Sequence, residues 1–327
     1  MLSEEDLGHR VVVRRVAGRR GDRPLFTDVL GELTAVTPTE LTVATDAGPV
    51  RVPRAAVVAG KRIPPRRAGR REVRDLEYAA NDAWPAPEQE RLGDWLLRAA
   101  GGWSRRANSA LAVGDPGRPL PAAVDEVTRW YRARGLEPAV TVPLPLARRV
   151  DDELTARGWR RGPTVLTQTA PLALLRSRLP DGGRVRLATT PDTDWLALTR
   201  PDHRPSGGPG GEPAAPVPPV ALRVLTADGR IPVRFAYRYD DDGSLVAAAR
   251  GTVTGNGRWF GLARLAVAPG ARRRGLAREV IGALVSWAAD LGATDAFLQV
   301  MEDNAPALAL YERLGFTTHH TYVCRSP

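Results

Sequence analysis

Residues 258–323 constrain the fold more than any other stretch, because they read as strand, basic glycine loop, helix, strand, helix and strand without interruption. The run 258-RWFGLARLAVAP alternates apolar and other residues and stops at Pro269. The loop GARRRGLA follows, then EVIGALVSWAADLG, whose apolar positions 280, 281, 284, 285, 287 and 288 mark one face of a helix. A second strand, 296-AFLQV, precedes 302-EDNAPALALYERLGF and a last strand within 317-TTHHTYVCR. A glycine loop between strand and helix turns successive backbone N–H groups, backed by the helix N-terminus, toward one point, which suits a phosphate or pyrophosphate. Arg272, Arg273 and Arg274 add positive charge there, and Gly275 allows close backbone approach. P-loop and dinucleotide patterns do not fit.

The order strand, R-x-x-G-x-A, helix, strand, N-x-x-A-x-x-x-Y-x-x-x-G-F resembles the GNAT superfamily of acetyl-CoA-dependent N-acetyltransferases. The matching residues are Arg272, Gly275 and Ala277, then Asn304, Ala307, Tyr311, Gly315 and Phe316. The resemblance covers residues 184–327, with 184-RVRLATTPDTDWLAL like the family's first strand and helix. It implies acetyl-CoA as cosubstrate and direct attack by an acceptor amine, without a covalent enzyme intermediate. The backbone of Leu265, Ala266 and Val267 is then expected to bond the pantetheine arm. The loop residues Arg272, Arg273, Arg274, Gly275, Leu276, Ala277 and Arg278 are expected to cradle the pyrophosphate, and Asn304 to help fix the cofactor. Tyr311 matches the family's usual general acid, which protonates the departing thiolate; a phenol with a pKa near ~10 stays protonated at neutral pH. Its alternative role is that of a core aromatic at helical spacing.

Some members place a glutamate base where this chain has Gln299, which cannot take a proton, and strand 258–267 carries no carboxylate. The candidates left for deprotonating the amine are Glu302, Asp303, His319 and His320 acting through water, with Glu302 as the expected base, unless the amine loses its proton in solvent before it binds. Each also reads as an ordinary solvated side chain at a strand end.

Residues 108–166 align under 265–323 at a constant offset of 157 without a gap, matching Trp130 with Trp287, Gly135 with Gly292, Gly158 with Gly315, and Trp159 with Phe316. The shared element order suggests an internal duplication. The first copy reads as degenerate: Asp115 stands at the position of Arg272, Arg118 at that of Gly275, and Leu154 at that of Tyr311.

Before these halves, runs at 9–16, 26–36, 40–46 and 50–58 are short and rich in β-branched residues, separated by turn signals. They resemble an SH3-like or KOW-type barrel. The stretch 60–74 reads as a Pro/Gly/Arg linker, and 201–219 as a mobile loop of the kind that forms lids. The expected architecture is mixed α/β, or α+β. An SH3-like β-barrel spans 1–65 and a degenerate GNAT-like domain 73–180. A GNAT domain with a central twisted mixed sheet spans 184–327. As a whole the pattern is similar to actinobacterial GNAT proteins with an SH3-like start, some of which carry a histone-acetyltransferase-like description.

Of the 327 residues, 43% are hydrophobic and 26% charged, which excludes collagen-like, coiled-coil and wholly disordered classes. The 47 basic residues against 37 acidic ones give +10, and Lys61 is the only lysine. An arginine-rich, lysine-poor balance fits a GC-rich genome, and also an anionic ligand or nucleic acid. The single cysteine, Cys324, can form no internal disulfide and argues against cysteine-based zinc, so no metal is expected. No run is long enough for a membrane span, and the acidic start MLSEEDLGHR is unlike a secretory leader, so a cytoplasmic protein is expected. The expected partners are acetyl-CoA and an amine acceptor, protein or small molecule, with monomer and homodimer both open. Two further classes stay in view: a nucleic-acid-associated regulator and a catalytically silent CoA-binding sensor.

Overall fold

Alternating valines and leucines shape the first unit, Met1–Arg67, into one antiparallel sheet. The computed structural model describes residues 2–45, 47–63, 68–200 and 217–327. Strands β1 (Arg10–Arg20), β2 (Arg23–Val36), β3 (Glu40–Thr45), β4 (Gly48–Pro53) and β5 (Val57–Arg62) lie in the order β4-β3-β2-β1-β5. Val11, Val13, Leu33, Leu41, Val43 and Val52 form its buried core. The run 50–58, read from sequence as one strand, is two. Pro53 leads into a 3₁₀ turn at Arg54–Ala56 that redirects the chain, so that β5 pairs with β1.

The supposed linker at 60–74 is largely structured. Gly60 to Arg62 end β5, and Arg70 opens helix α1 (Arg70–Ala83); residues 64–67 lie outside the described residues. At the start of α1 the Gly69 N–H donates to the Glu72 carboxylate at 2.6 Å, satisfying a donor that the helix start leaves unpaired.

The second unit, Ala68–Pro327, is built on a twelve-stranded mixed sheet. Its first half contains β6 (Glu88–Leu92), β7 (Trp95–Ala99), β8 (Ala110–Leu111), α2 (Leu120–Arg132), β9 (Val140–Leu144), α3 (Arg148–Ala156), β10 (Arg160–Arg161), β11 (Val165–Pro171) and α4 (Leu172–Arg178). The second half contains β12 (Val185–Ala188), α5 (Thr193–Leu198), α6 (Pro219–Leu225), β13 (Val233–Tyr239), β14 (Leu245–Thr254) and β15 (Trp259–Val267). After these come α7 (Leu276–Asp290), β16 (Asp295–Met301), α8 (Ala305–Leu314) and β17 (Thr317–Ser326). Of the 201–219 stretch, residues 201–216 lie outside the described residues, and Pro219 opens α6.

Shifted by 157 positions, α2, β9 and α3 fall on α7, β16 and α8. Both halves also make a parallel pair around their first such helix, β8 with β9 and β15 with β16. The halves exchange their last strands. β11, the last strand of the first half, runs antiparallel to β16 of the second, while β17 pairs with β9 of the first. β11 and β17 pair with each other between them, so neither half completes its sheet alone.

On one face of the sheet, Val280, Ile281 and Leu284 of α7 pack on Phe260, Leu262 and Leu298. On the other, Leu76 and Ala79 of α1 pack on Trp259 and Phe297, while Tyr78 lies against Leu96 and Leu111 of the first half. Helix α1 therefore crosses the junction of the halves. Among the described residues no helix is long and apolar enough to cross a membrane.

Candidate functional site

Strands β15 and β16 pair in parallel only from Trp259 with Asp295 to Leu262 with Leu298, and then part. The β15–β14 register breaks at the same level, where Arg264 takes φ +55 in a bulge. Beyond it the Ala268 N–H donates to Val246 of β14 at 2.9 Å, so by strand alternation the backbone groups of Leu265 and Val267 face the open edge. That edge suits an extended amide-bearing chain. Ala266, between them, faces β14 through its pairing with Ala248.

The loop after β15 is exposed at Arg272, Arg273, Arg274 and Gly275. Gly275 precedes α7 at φ +84, a conformation that costs an L residue about 1–2 kcal/mol, and a Cβ there would meet nothing within 4 Å. Leu276 is buried against the core, and Ala277 is half-buried in the first turn. Three of the basic side chains are engaged, among them Arg274 with Asp240 and Arg278 with the Arg178 carbonyl. Arg272 donates to the Val267 carbonyl at 3.4 Å, and Arg273 makes no ion pair among the described residues.

Tyr311 projects from α8 into the core, edge-on to Phe316 with ring centroids 5.7 Å apart. Burial pushes its phenol up to about 12, so it holds its proton at neutral pH. Asn304 caps α8, its side-chain oxygen accepting from the Ala307 N–H at 3.3 Å. Glu302 and Asp303 are exposed in the turn before α8, away from the buried polar groups described next.

The histidines are not the surface side chains their sequence position suggested. His320 is 4% exposed; its Nε2 is 2.6 Å from Glu77 Oε1, and its Nδ1 is 2.8 Å from His319 Nδ1. Burial, then the neighbouring His320, lowers His319 to about 4. Glu77 comes from α1 and was not among the candidates read from sequence. It helps wall a small cavity on the α1 face with Asn81, Arg98, Arg106, Gln299 and Tyr322.

The corresponding loop of the first half is plugged. The Asp115 N–H donates to the Asp94 carboxylate at 2.9 Å, the Gly117 N–H donates to the Asp115 carboxylate at 2.8 Å, and the Asp94 N–H donates to the Asp115 carbonyl at 2.6 Å. Carboxylates thus take the amides that a phosphate would need, and Leu154 is fully buried where the second half has Tyr311.

Comparison with known proteins bears on the family and the fold. The family model described as probable histone acetyltransferase Rv0428c C-terminal matches residues 71–325, and the one for the Rv0428c N-terminal Sm-like domain matches residues 5–61. The N-terminal unit is therefore similar to Sm-like domains, where the sequence reading had SH3-like. A probable histone acetyltransferase, Rv0428c, of Mycobacterium tuberculosis is 32% identical over 98% of this chain and 95% of its own. The uncharacterized N-acetyltransferase YobR of Bacillus subtilis is 28% identical over 78% of this chain and 99% of its own. A GCN5-related N-acetyltransferase from Kribbella flavida shares the fold, with TM-score 0.51 and 16% identity, over 78% of this chain and 95% of its own.

Proposed function

Because the chain belongs to the probable histone acetyltransferase Rv0428c family of GNAT N-acetyltransferases, we propose that it transfers an acetyl group from acetyl-CoA to a primary amine by direct attack. The observation that carries this reading is the parting of β15 from β16 beside the open, left-handed Gly275 turn. Leu265 and Val267 hold the pantetheine amides, and the amides from Arg272 to Arg278 hold the pyrophosphate at the start of α7. Arg272 and Arg273 supply charge there, and Asn304 keeps the start of α8 in place beside the site. Acetyl-CoA supplies the activated acetyl group and a thiolate leaving group. Tyr311, protonated and buried, gives its proton to that sulfur. The first half acts as scaffold and acceptor-side wall.

Two measurements test this reading. Calorimetry with acetyl-CoA is expected to give saturable binding that Gly275→Val abolishes, since a β-branched residue resists φ +84 and fills the open space. Thiol release against a panel of amines is expected to show acceptor-dependent turnover. Binding unchanged in Gly275→Val would remove the loop from the site, and binding without turnover on any amine would leave a CoA sensor.

A further inference from the structure

On the face opposite α7, the parting strands open onto a group of cations, Arg250 buried and Arg106 and Arg264 half-buried. Ala263 and Ala266 of β15 pack in a cluster with Trp84 and Trp103, and Gln299, just past the last paired residue of β16, lines the cavity that holds Glu77. Trp84 and Trp103 stack at 5.7 Å with their planes 13° apart. The guanidinium carbons of Arg106, Arg250 and Arg264 lie 5.5, 5.2 and 5.6 Å from the Trp84 ring centre. Arg106 also lines the cavity, beside Arg98 and Tyr322, and so joins the two parts.

Arg250, the most buried of the three around Trp84, lacks the counter-charge that burial demands. Among the described residues none of Arg98, Arg106 and Arg250 forms an ion pair. Arg250 is 1% exposed; its Nε donates to the Leu225 carbonyl at 2.6 Å, and its Nη2 is buried without a hydrogen-bonding partner among the described residues. Burial, then Arg106 and Arg264, lower it to about 9, the mark of desolvated like charges in one place. Leaving a guanidinium donor dry and unpaired is expensive, a cost that a bound anion would relieve. The loop that presents Trp103 and Arg106 is built for rigidity. The Asn108 side chain accepts from the N–H groups of Ala100 and Gly102 at 2.9 and 3.0 Å and donates to the Trp103 and Ser104 carbonyls at 2.7 and 2.9 Å. Ser104 meanwhile sits at φ +66, strain that tends to gather where a loop must place side chains.

We infer that this arginine–tryptophan cluster is the acceptor site, that it selects an amine also bearing an anionic group, carboxylate or phosphate, and that Glu77 takes the proton of the attacking nitrogen. The inference rests on the acetyl-transfer reading above. The anion pairs with Arg106 and Arg250, which leaves the amine in the cavity beside Glu77 and Gln299. Nitrogen attacks the thioester carbonyl, the C–N bond forms and the C–S bond breaks; the nitrogen's proton passes to the Glu77 carboxylate, and sulfur takes the proton of Tyr311. His320 is a positioning residue that holds the Glu77 carboxylate. This chemistry is the reverse of what a lysine-rich tail offers, because the Arg250 and Arg106 guanidiniums repel a cation.

The test reads acceptor binding separately from transfer, by calorimetry on the CoA-saturated full chain. The probes are single amino acids, phosphoethanolamine, the matching amino-acid amides and a lysine-rich peptide. Amino acids or phosphoethanolamine should bind about tenfold or more tighter than the amides, the scale of one charge-assisted hydrogen bond, and the stronger of the two identifies carboxylate or phosphate. Arg250→Met should abolish that preference, keep CoA affinity, and raise Tm, because it removes a buried unpaired charge; a purely structural arginine would lower Tm instead. If that variant does not fold, Arg106→Gln, at a half-buried position, must remove the preference. Glu77→Gln should keep both ligands bound while kcat falls about 10²-fold or more. Amides or the lysine-rich peptide binding as well as the anionic amines, no anionic amine binding, or a preference that survives both arginine variants would overturn the inference. If anionic amines bind as expected but no thiol is released, the transfer reading fails while the acceptor site stands.

Discussion

Both carboxylate oxygens of Asp240, in the turn after β13, accept from the Arg274 guanidinium, at 2.7 and 2.9 Å. The Arg274 hydrogen bonds hold the Asp240 carboxyl at about 2, so the pair is charged throughout the neutral range. Arg274 therefore braces the loop against β13 and has its charge already matched, whereas Arg273 is exposed beside it.

This asymmetry separates two mutations that sequence alone treats alike. Arg273→Ala should weaken CoA binding about tenfold, the scale of one charge-assisted contact to phosphate. Arg274→Ala should cost about threefold or less, through a looser loop. Calorimetry with CoA ranks them, and the reverse order would mean that Asp240 releases Arg274 when ligand binds.

The plugged loop of the first half predicts stoichiometry. With the Asp115 amide on Asp94, the Gly117 amide on Asp115, and no residue at position 154 able to give a proton, one CoA should bind per chain. The β6–β7 turn leaves no room for a second: a Cβ on Gly93 would lie 2.4 Å from the Pro116 carbonyl carbon. An equilibrium titration reaching two equivalents would contradict this.

The order of elements from β15 to β17 was legible because each is encoded locally, by alternation, by the glycine loop and by a helical apolar face. The strand exchange was not. Residues 165–171 and 317–326 each read as the last strand of their own half, and nothing local says which neighbour a strand pairs with. Glu77 escaped because α1 begins in an arginine-rich stretch that resembles a linker. Arg250 did carry a signal: it interrupts the otherwise apolar strand 245-LVAAARGTV, every residue of which from Val246 on is buried. A charge in such a run has to face something other than water, yet the Trp84 ring it lies against is far away in sequence.

The histidine pair predicts a pH dependence of stability. His319 titrates at about 4 in the folded chain, through burial and then His320, with Glu72, Glu77 and Arg258 also acting on it; unfolded, it titrates near ~6.5. Between those values the unfolded chain binds a proton that the folded chain refuses, so stability falls as pH drops from about 6.5 to about 4. Thermal melts of the wild type and His319→Gln should converge on acidification within that window. Parallel curves would place the titrating group elsewhere.

The sharpest prediction concerns Tyr311. Its ring packs on Phe316 and the core, and its phenol has no hydrogen-bonding partner among the described residues. Tyr311→Phe therefore keeps the packing and deletes only the proton donor, so Tm and CoA affinity should barely change. Turnover should drop in kcat, toward the low end of the about 10²- to 10⁴-fold typical of general acids, because a thiolate is a tolerable leaving group unaided. A second readout separates acid from packing: with an acyl donor whose thiol leaves more easily, the kcat deficit should shrink, since a better leaving group needs the proton less. Full kcat in a folded, CoA-binding variant would assign Tyr311 to the core alone and leave the Gly275 loop and the split between β15 and β16 as the parts of the site that stand without it.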